Sequence, residues 1–189
     1  MSVSSAERTR QQQLLREAEG YLELVTVFED RWMLDRRRRE PLARRALDIL
    51  ARIGRRHPER ARVQFLKGHA LRVLERYDEA VEPLESAAEL MPDHIAIWLM
   101  LGWCYKRCGR LDLAIRSLER ASRVDPGEAI VYYNLACYWS LAGNVRKAIP
   151  LLAKALVMDP NYRDLIAGES DFDPVRDHPD FRALVSVTV

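Results

Sequence analysis

The chain has 189 residues, 48% of them apolar, with 30 basic and 28 acidic side chains for a net charge of +2. Its longest nearly apolar run, Ile95 to Trp103, is far too short to cross a bilayer, which excludes membrane insertion through a helix. The N-terminus MSVSSAERTR lacks the apolar stretch of a secretory leader, and Cys104, Cys108 and Cys137 make an odd count with no disulfide pattern, so a reducing, cytoplasmic setting is expected.

The first ten or so residues are polar and expected to fray. From Leu14 a helix is predicted, with Leu14, Ala18, Tyr21, Val25, Phe28 and Trp32 spaced alternately by four and three and so lying along one side. Leu15 and Leu22 widen that face. A face of this kind needs cover, either from the helices that follow or from a second copy in a homodimer.

Beyond it the chain repeats. Pro58, Pro92, Pro126 and Pro160 stand 34 residues apart, as do Ala46, Ala80, Ala114 and Ala148. Leu50, Leu84, Leu118 and Leu152 keep the same interval, and Ile53, Ala87, Ala121 and Ala155 do so as well. Within the stretch 95–128, counting Ile95 as position 1, Trp98 is position 4, Leu101 is 7, Gly102 is 8, Tyr105 is 11, Ala114 is 20 and Pro126 is 32. That run resembles the tetratricopeptide repeat, a helix–turn–helix unit with the signature W-x2-L-G-x2-Y, then A-x3-F, then P. Leu118 stands where the family usually has an aromatic residue. The resemblance implies an all-α, right-handed solenoid of antiparallel helix pairs, with a long N-terminal helix and a C-terminal helical cap.

The predicted units are an N-terminal helical extension (1–26), a degenerate repeat (27–60), three clear repeats (61–94, 95–128, 129–162) and a C-terminal cap (163–189). In the degenerate repeat Asp30, Leu34 and Arg37 occupy the first-helix signature columns, and the N-terminal helix is expected to serve as its first arm. Pro41, at position 15, is expected in the first turn of the second helix, where its missing N–H is harmless. Pro83 and Pro150 fall inside second helices. Small residues at positions 8 and 20 allow paired helices to approach closely.

In the tail, Leu165 and Ile166 begin a short helix, and Asp177 is expected to cap a helix starting near Pro179. Phe172, Val175, Phe181 and Leu184 are expected to cover the last repeat. The segment resembles the D-x-D-P-x-R-x-x-P-x-F-x-x-L ending that follows such arrays in many bacterial proteins.

No nucleotide-binding glycine loop, zinc motif or nucleophile elbow occurs, so no catalysis, cofactor or metal is expected. Cys104 and Cys108 read as small core side chains, and Asp171, Asp173, Asp177 and Asp180 as capping groups. From Arg31 to Arg62 twelve arginines face four acidic residues, a local charge of +8. Nucleic acid or an acidic partner would suit that charge, but no nucleic-acid motif accompanies it, and a solvated basic face is the simpler reading.

In the resembled family, first helices line a concave groove through positions 2, 5, 6, 9, 12 and 13. Carried onto this chain, those positions include Arg62, Phe65, His69 and Arg72, then Leu99, Met100, Trp103, Lys106 and Arg107, then Tyr133, Asn134 and Cys137. The groove is expected to be aromatic and aliphatic with a basic rim, suited to a peptide or helix with apolar anchors. The carboxylate clamp of chaperone-binding members is lacking, since only Asn134 matches it. The resemblance thus implies a non-catalytic scaffold or adaptor, with a small secretion-type chaperone for a hydrophobic client as the alternative. Cover of the groove by the chain's own N-terminal stripe or tail stands beside both.

Overall fold

The computed structural model describes residues 5–31, 36–54 and 57–186, and every element among them is helical. Contacts divide the chain into two compact units, residues 1–104 and 105–189. The first holds α1 (Ser5–Arg31), α2 (Arg36–Ala51), α3 (Arg60–Val73), α4 (Tyr77–Leu90) and most of α5 (Ile95–Arg107). The second holds α6 (Leu111–Val124), α7 (Ala129–Leu141), α8 (Val145–Met158), α9 (Tyr162–Ile166), a 3-10 helix (Ser170–Val175) and α10 (Pro179–Ser186).

In the first unit, α1 packs along α2 and α3. Its Leu14, Leu15, Ala18 and Leu22 are buried with Ala46, Ile49, Leu50 and Ile53 of α2 and its following turn, and with Val63, Leu66 and Ala70 of α3. Val25 continues the seam with Ala43 and Val73. Each leucine so buried contributes about 1.5–3 kcal/mol, so the stripe read from the sequence is used inside the chain as far as Val25. Phe28 and Trp32 lie outside the described side chains. Leu24 faces outward, 46% exposed. Polar contacts finish the seam: the Gly54 amide donates to Gln11 at 2.9 Å, and Arg62 of α3 forks onto Glu19 of α1.

The first helix pair departs from the expected register. Helix α2 begins at Arg36, so Pro41 is its sixth residue rather than part of its first turn. The cause lies at position 15, where the later pairs turn through Glu75, Gly109 and Gly143 at φ of 59°, 74° and 68°. Proline is locked near −65° and cannot adopt that backbone, so no such turn forms at Pro41 and the helix runs through it. Pro83 and Pro150 likewise stand inside unbroken helices, α4 and α8.

Close approach of α3 and α4 depends on a missing side chain. A Cβ built on Gly68 would come within 2.6 Å of the Leu84 Cδ2, well inside contact distance. Successive repeats are joined by a recurrent tether: the Trp98 indole donates to the Pro92 carbonyl at 2.7 Å, and the Tyr132 hydroxyl to the Pro126 carbonyl at 3.1 Å. This explains why position 4 carries an aromatic residue with a polar edge.

In the second unit α7 lies between α6 and α8, the 3-10 helix packs on α7, and α10 on α8. Phe172, Val175 and Phe181 are at most 2% exposed, while Leu184 is half-buried. Arg176 holds the segment by donating to the carbonyls of Ile166 and Glu169 and pairing with Asp173. Arg163 donates to the carbonyls of Leu184 and Val185 at the end of α10. The cap of α10 differs from expectation. The Asp180 amide donates to the His178 ring, whereas Asp177 pairs with Arg182, because a helix starting at Pro179 puts His178 beside the unsatisfied N–H groups.

A prediction follows from position 15. Left-handed backbone costs a side-chain-bearing residue about 1–2 kcal/mol, partly offset by the greater chain entropy of glycine. The exposed Glu75 carboxylate lies 3.6 Å from Arg36, a contact worth little. Glu75→Gly should therefore stabilise the fold by roughly 0.5–1 kcal/mol, and Gly143→Ala should destabilise it by a similar amount. Chemical denaturation of the two variants against wild type checks both signs.

Candidate functional site

The first helix of each pair carries the side chains in question. On α3, Arg62 is exposed and ion-paired with Glu19 and Glu59. The Phe65 ring is half-buried, 5.0 Å from that of His94 and 6.3 Å from that of His69. His69 is buried, and burial followed by the neighbouring Arg72 charge pushes its pKa down to about 4. Two polar atoms one turn apart, His69 Nε2 and Arg72 Nε, are buried without a hydrogen-bond partner. Such groups are rare and costly in a folded protein. On α5, Leu99 and Met100 are half-buried. Trp103 is 40% exposed, whereas Ile97, Leu101 and Cys104 around it on the same helix are at most 2% exposed.

In the second unit the corresponding face is covered by the chain itself. Lys106 gives its ammonium to Asp171 and lies 5.6 Å from the Tyr138 ring. Tyr133 is 4% exposed, stacked on Tyr162 at 4.7 Å and meeting Phe172 edge-on at 5.7 Å. Cys137 is 2% exposed. Burial first, then the Glu169 and Asp171 carboxylates, push its thiol pKa up, and burial raises that of Tyr133. Asn134 is half-buried and Arg107 exposed. Of the three groove positions named on α7, two therefore meet the tail, together with Lys106 at the end of α5.

Phe172 covers the last repeat as expected, whereas the sequence reading missed Tyr162, Glu169 and Asp171, which complete the cover over α7. The signal was present in the acidic–aromatic run Asp171-Phe172-Asp173 following an array with a basic, apolar face. Cys137, Glu169 and Asp171 bring potential ligand atoms within 4.8 Å of one another. Each already has an internal use: Asp171 holds Lys106, the Glu169 carboxylate accepts the Asp171 amide at 3.1 Å, and the buried thiol is held protonated. The basic run is partly neutralised too, with Arg36 and Arg44 both on Glu40.

Two family models, both described as tetratricopeptide repeat, match residues 36–95 and 74–136. Among solved structures, MamA (AMB-1) is 26% identical with a TM-score of 0.54, over 75% of this chain and 78% of that one. MamA (MSR-1) is 24% identical with a TM-score of 0.60, over 80% and 98%. YrrB, described as a TPR protein with an unusual peptide-binding site, is 23% identical with a TM-score of 0.57, over 80% and 73%. At 23–24% identity, the second and third of these likenesses bear on the fold alone. No curated protein sequence matches the chain.

Two outcomes are expected. His69 binds its proton near pH 4 when folded and near 6.5 when unfolded, so the unfolded chain takes up the proton first as pH falls. Stability should fall by on the order of 3 kcal/mol at most between about pH 7 and pH 4, with a shallower fall in His69→Gln, as read by urea unfolding across that range. Lys106→Met leaves the mostly buried Asp171 carboxylate unpaired, at a cost of roughly 2–4 kcal/mol. Amide exchange over residues 170–186 should then accelerate ahead of exchange in α1 to α4.

Proposed function

The chain belongs to the tetratricopeptide repeat family and is a protein–protein interaction module; from that premise we propose that it acts as a non-catalytic adaptor. The binding surface is the first-helix face of the first unit, centred on Trp103 and flanked by Leu99 and Met100. One observation carries this reading. Trp103 keeps a large aromatic surface in solvent on a helix whose neighbouring apolar side chains are buried. Tryptophan is among the residue types enriched where interfaces concentrate their binding energy. Arg72 supplies positive charge for acidic flanks, whereas Arg62 is engaged by Glu19 and Glu59. Among the described residues, no helix is long and apolar enough to cross a membrane.

The partner class is a peptide or helix presenting apolar anchors. Tyr133 and Cys137, which the family pattern would also assign to partner contact, serve instead to seat the tail. Affinity capture from native lysate tests the proposal, using wild type, Trp103→Glu and a variant with Arg36 to Arg39 neutralised. Trp103→Glu should keep its helical spectrum and lose the captured partner. The arginine variant should retain it. A partner kept by Trp103→Glu and lost with the arginine variant would move the function to α2.

A further inference from the structure

The tail occupies a site that has a counterpart one repeat earlier. Its receptor consists of Lys106, Tyr133 and Cys137, and its occupant is the acidic–aromatic segment Asp171-Phe172-Asp173. Moving that receptor back by the 34-residue period gives Arg72, Leu99 and Trp103, all within the first unit. The chemistry carries over in kind: a cation at position 12, then apolar side chains at positions 5 and 9 of the next first helix. Its state differs. Lys106 holds a carboxylate, whereas Arg72 Nε, like His69 Nε2 one turn before it, is buried with no hydrogen-bond partner. Cys137 is 2% exposed, and its counterpart Trp103 is 40% exposed.

We propose that Arg72, Leu99 and Trp103 form a second receptor for an acidic–aromatic segment of the kind the tail supplies to the first. The proposal rests on the first-helix face being the binding surface and adds the chemistry of the partner. A carboxylate would meet the Arg72 guanidinium, whose planar fork suits it better than an ammonium does. An aromatic ring next to that carboxylate would lie on Leu99 and Trp103, where the smaller Cys137 stands in the filled site. The partner is thus a protein segment with an aromatic residue between or beside acidic ones.

The probe is a fluorescein-labelled peptide with the chain's own sequence from Glu169 to Val175, titrated into the full-length protein and read by polarisation. Saturable binding is expected, weakened roughly tenfold or more by Arg72→Met and by Trp103→Ala, and less by Arg72→Lys. Replacing the peptide's Phe by Ala should also weaken it. Thermal melts establish that each variant is folded, and Trp103, being exposed, is the substitution the fold tolerates best. Absence of saturable binding overturns the proposal, as does equal binding by the Ala-substituted peptide, which would show charge alone at work. Binding indifferent to Arg72→Met and enhanced by Phe172→Ala in the protein, which loosens the tail but leaves its receptor intact, would mean that the peptide replaces the tail, and also overturns it. If the peptide fails while lysate capture still depends on Trp103, the surface stands and only its acidic–aromatic preference falls. If neither depends on Trp103, both fall.

Discussion

The structure depends on how closely the two helices of a pair can approach. At position 8 of the second repeat Gly68 has no side chain, and the space a Cβ would take is filled by Leu84 at position 24. Leu84, Leu118 and Leu152 are all fully buried, each at the same place in its repeat, as are the position-20 alanines Ala80 and Ala114. Small residues at 8 and 20 and a leucine at 24 therefore fix the packing within a pair, and the chain keeps to them with little variation. Because those columns carry the fold, the outward positions 5, 9 and 12 are left to differ. They read Phe, His and Arg in one repeat, Leu, Trp and Lys in the next, and Tyr and Cys at 5 and 9 of the last. Variation confined to such positions is where a repeat protein has room for specificity.

This division explains what could be read from the sequence. Period and packing columns are local properties, so the helices from α3 to α8 were legible, as was the need to cover the Leu14–Val25 stripe, though not whether the following helices or a second copy would do it. The start of α2 was misplaced because the period was extended to Pro41 without asking whether proline could adopt the backbone that position 15 requires. Glu75 adopts it at φ 59°, which shows that the turn is imposed by the packing of α3 on α4 and not chosen by its residue. The cover over α7 was legible only as one possibility among several. Periodicity tells which face is outward, but the Lys106–Asp171 pair joins residues 65 apart with no shared register. Nothing in a 34-residue repeat announces which distant segment will come to lie on it.

The tail's seat combines apolar burial with a few directed polar contacts. Phe172 inserts beside Tyr133 and Phe181, and each ring offers more apolar area than any single aliphatic side chain of the repeat. That burial is non-directional, so the segment needs other interactions to hold one register. Asp171 on Lys106, the Glu169 carboxylate on the Asp171 amide, and Arg176 on two carbonyls and Asp173 supply them. The three lie before, beside and after the ring, so the 3-10 helix cannot slide without breaking at least one. A partly buried ion pair of this kind adds little net stability over apolar packing, but leaving either member unpaired is expensive, and the pair therefore selects position more than it adds strength.

The same reasoning bears on the first unit. Arg72 and His69 present two polar atoms that folding has taken out of water without satisfying them. The His69 pKa is depressed first by burial, which disfavours the charged ring, and then by the positive charge of Arg72 beside it. An anion arriving at Arg72 would give the guanidinium a partner and offset its positive charge beside the imidazole, the lesser of the two causes that keep the ring neutral. A purely apolar ligand on Trp103 would do neither, and would desolvate Arg72 further. The energetic asymmetry of the site thus favours a ligand that brings a negative charge together with its apolar anchor, the combination already seated against α7.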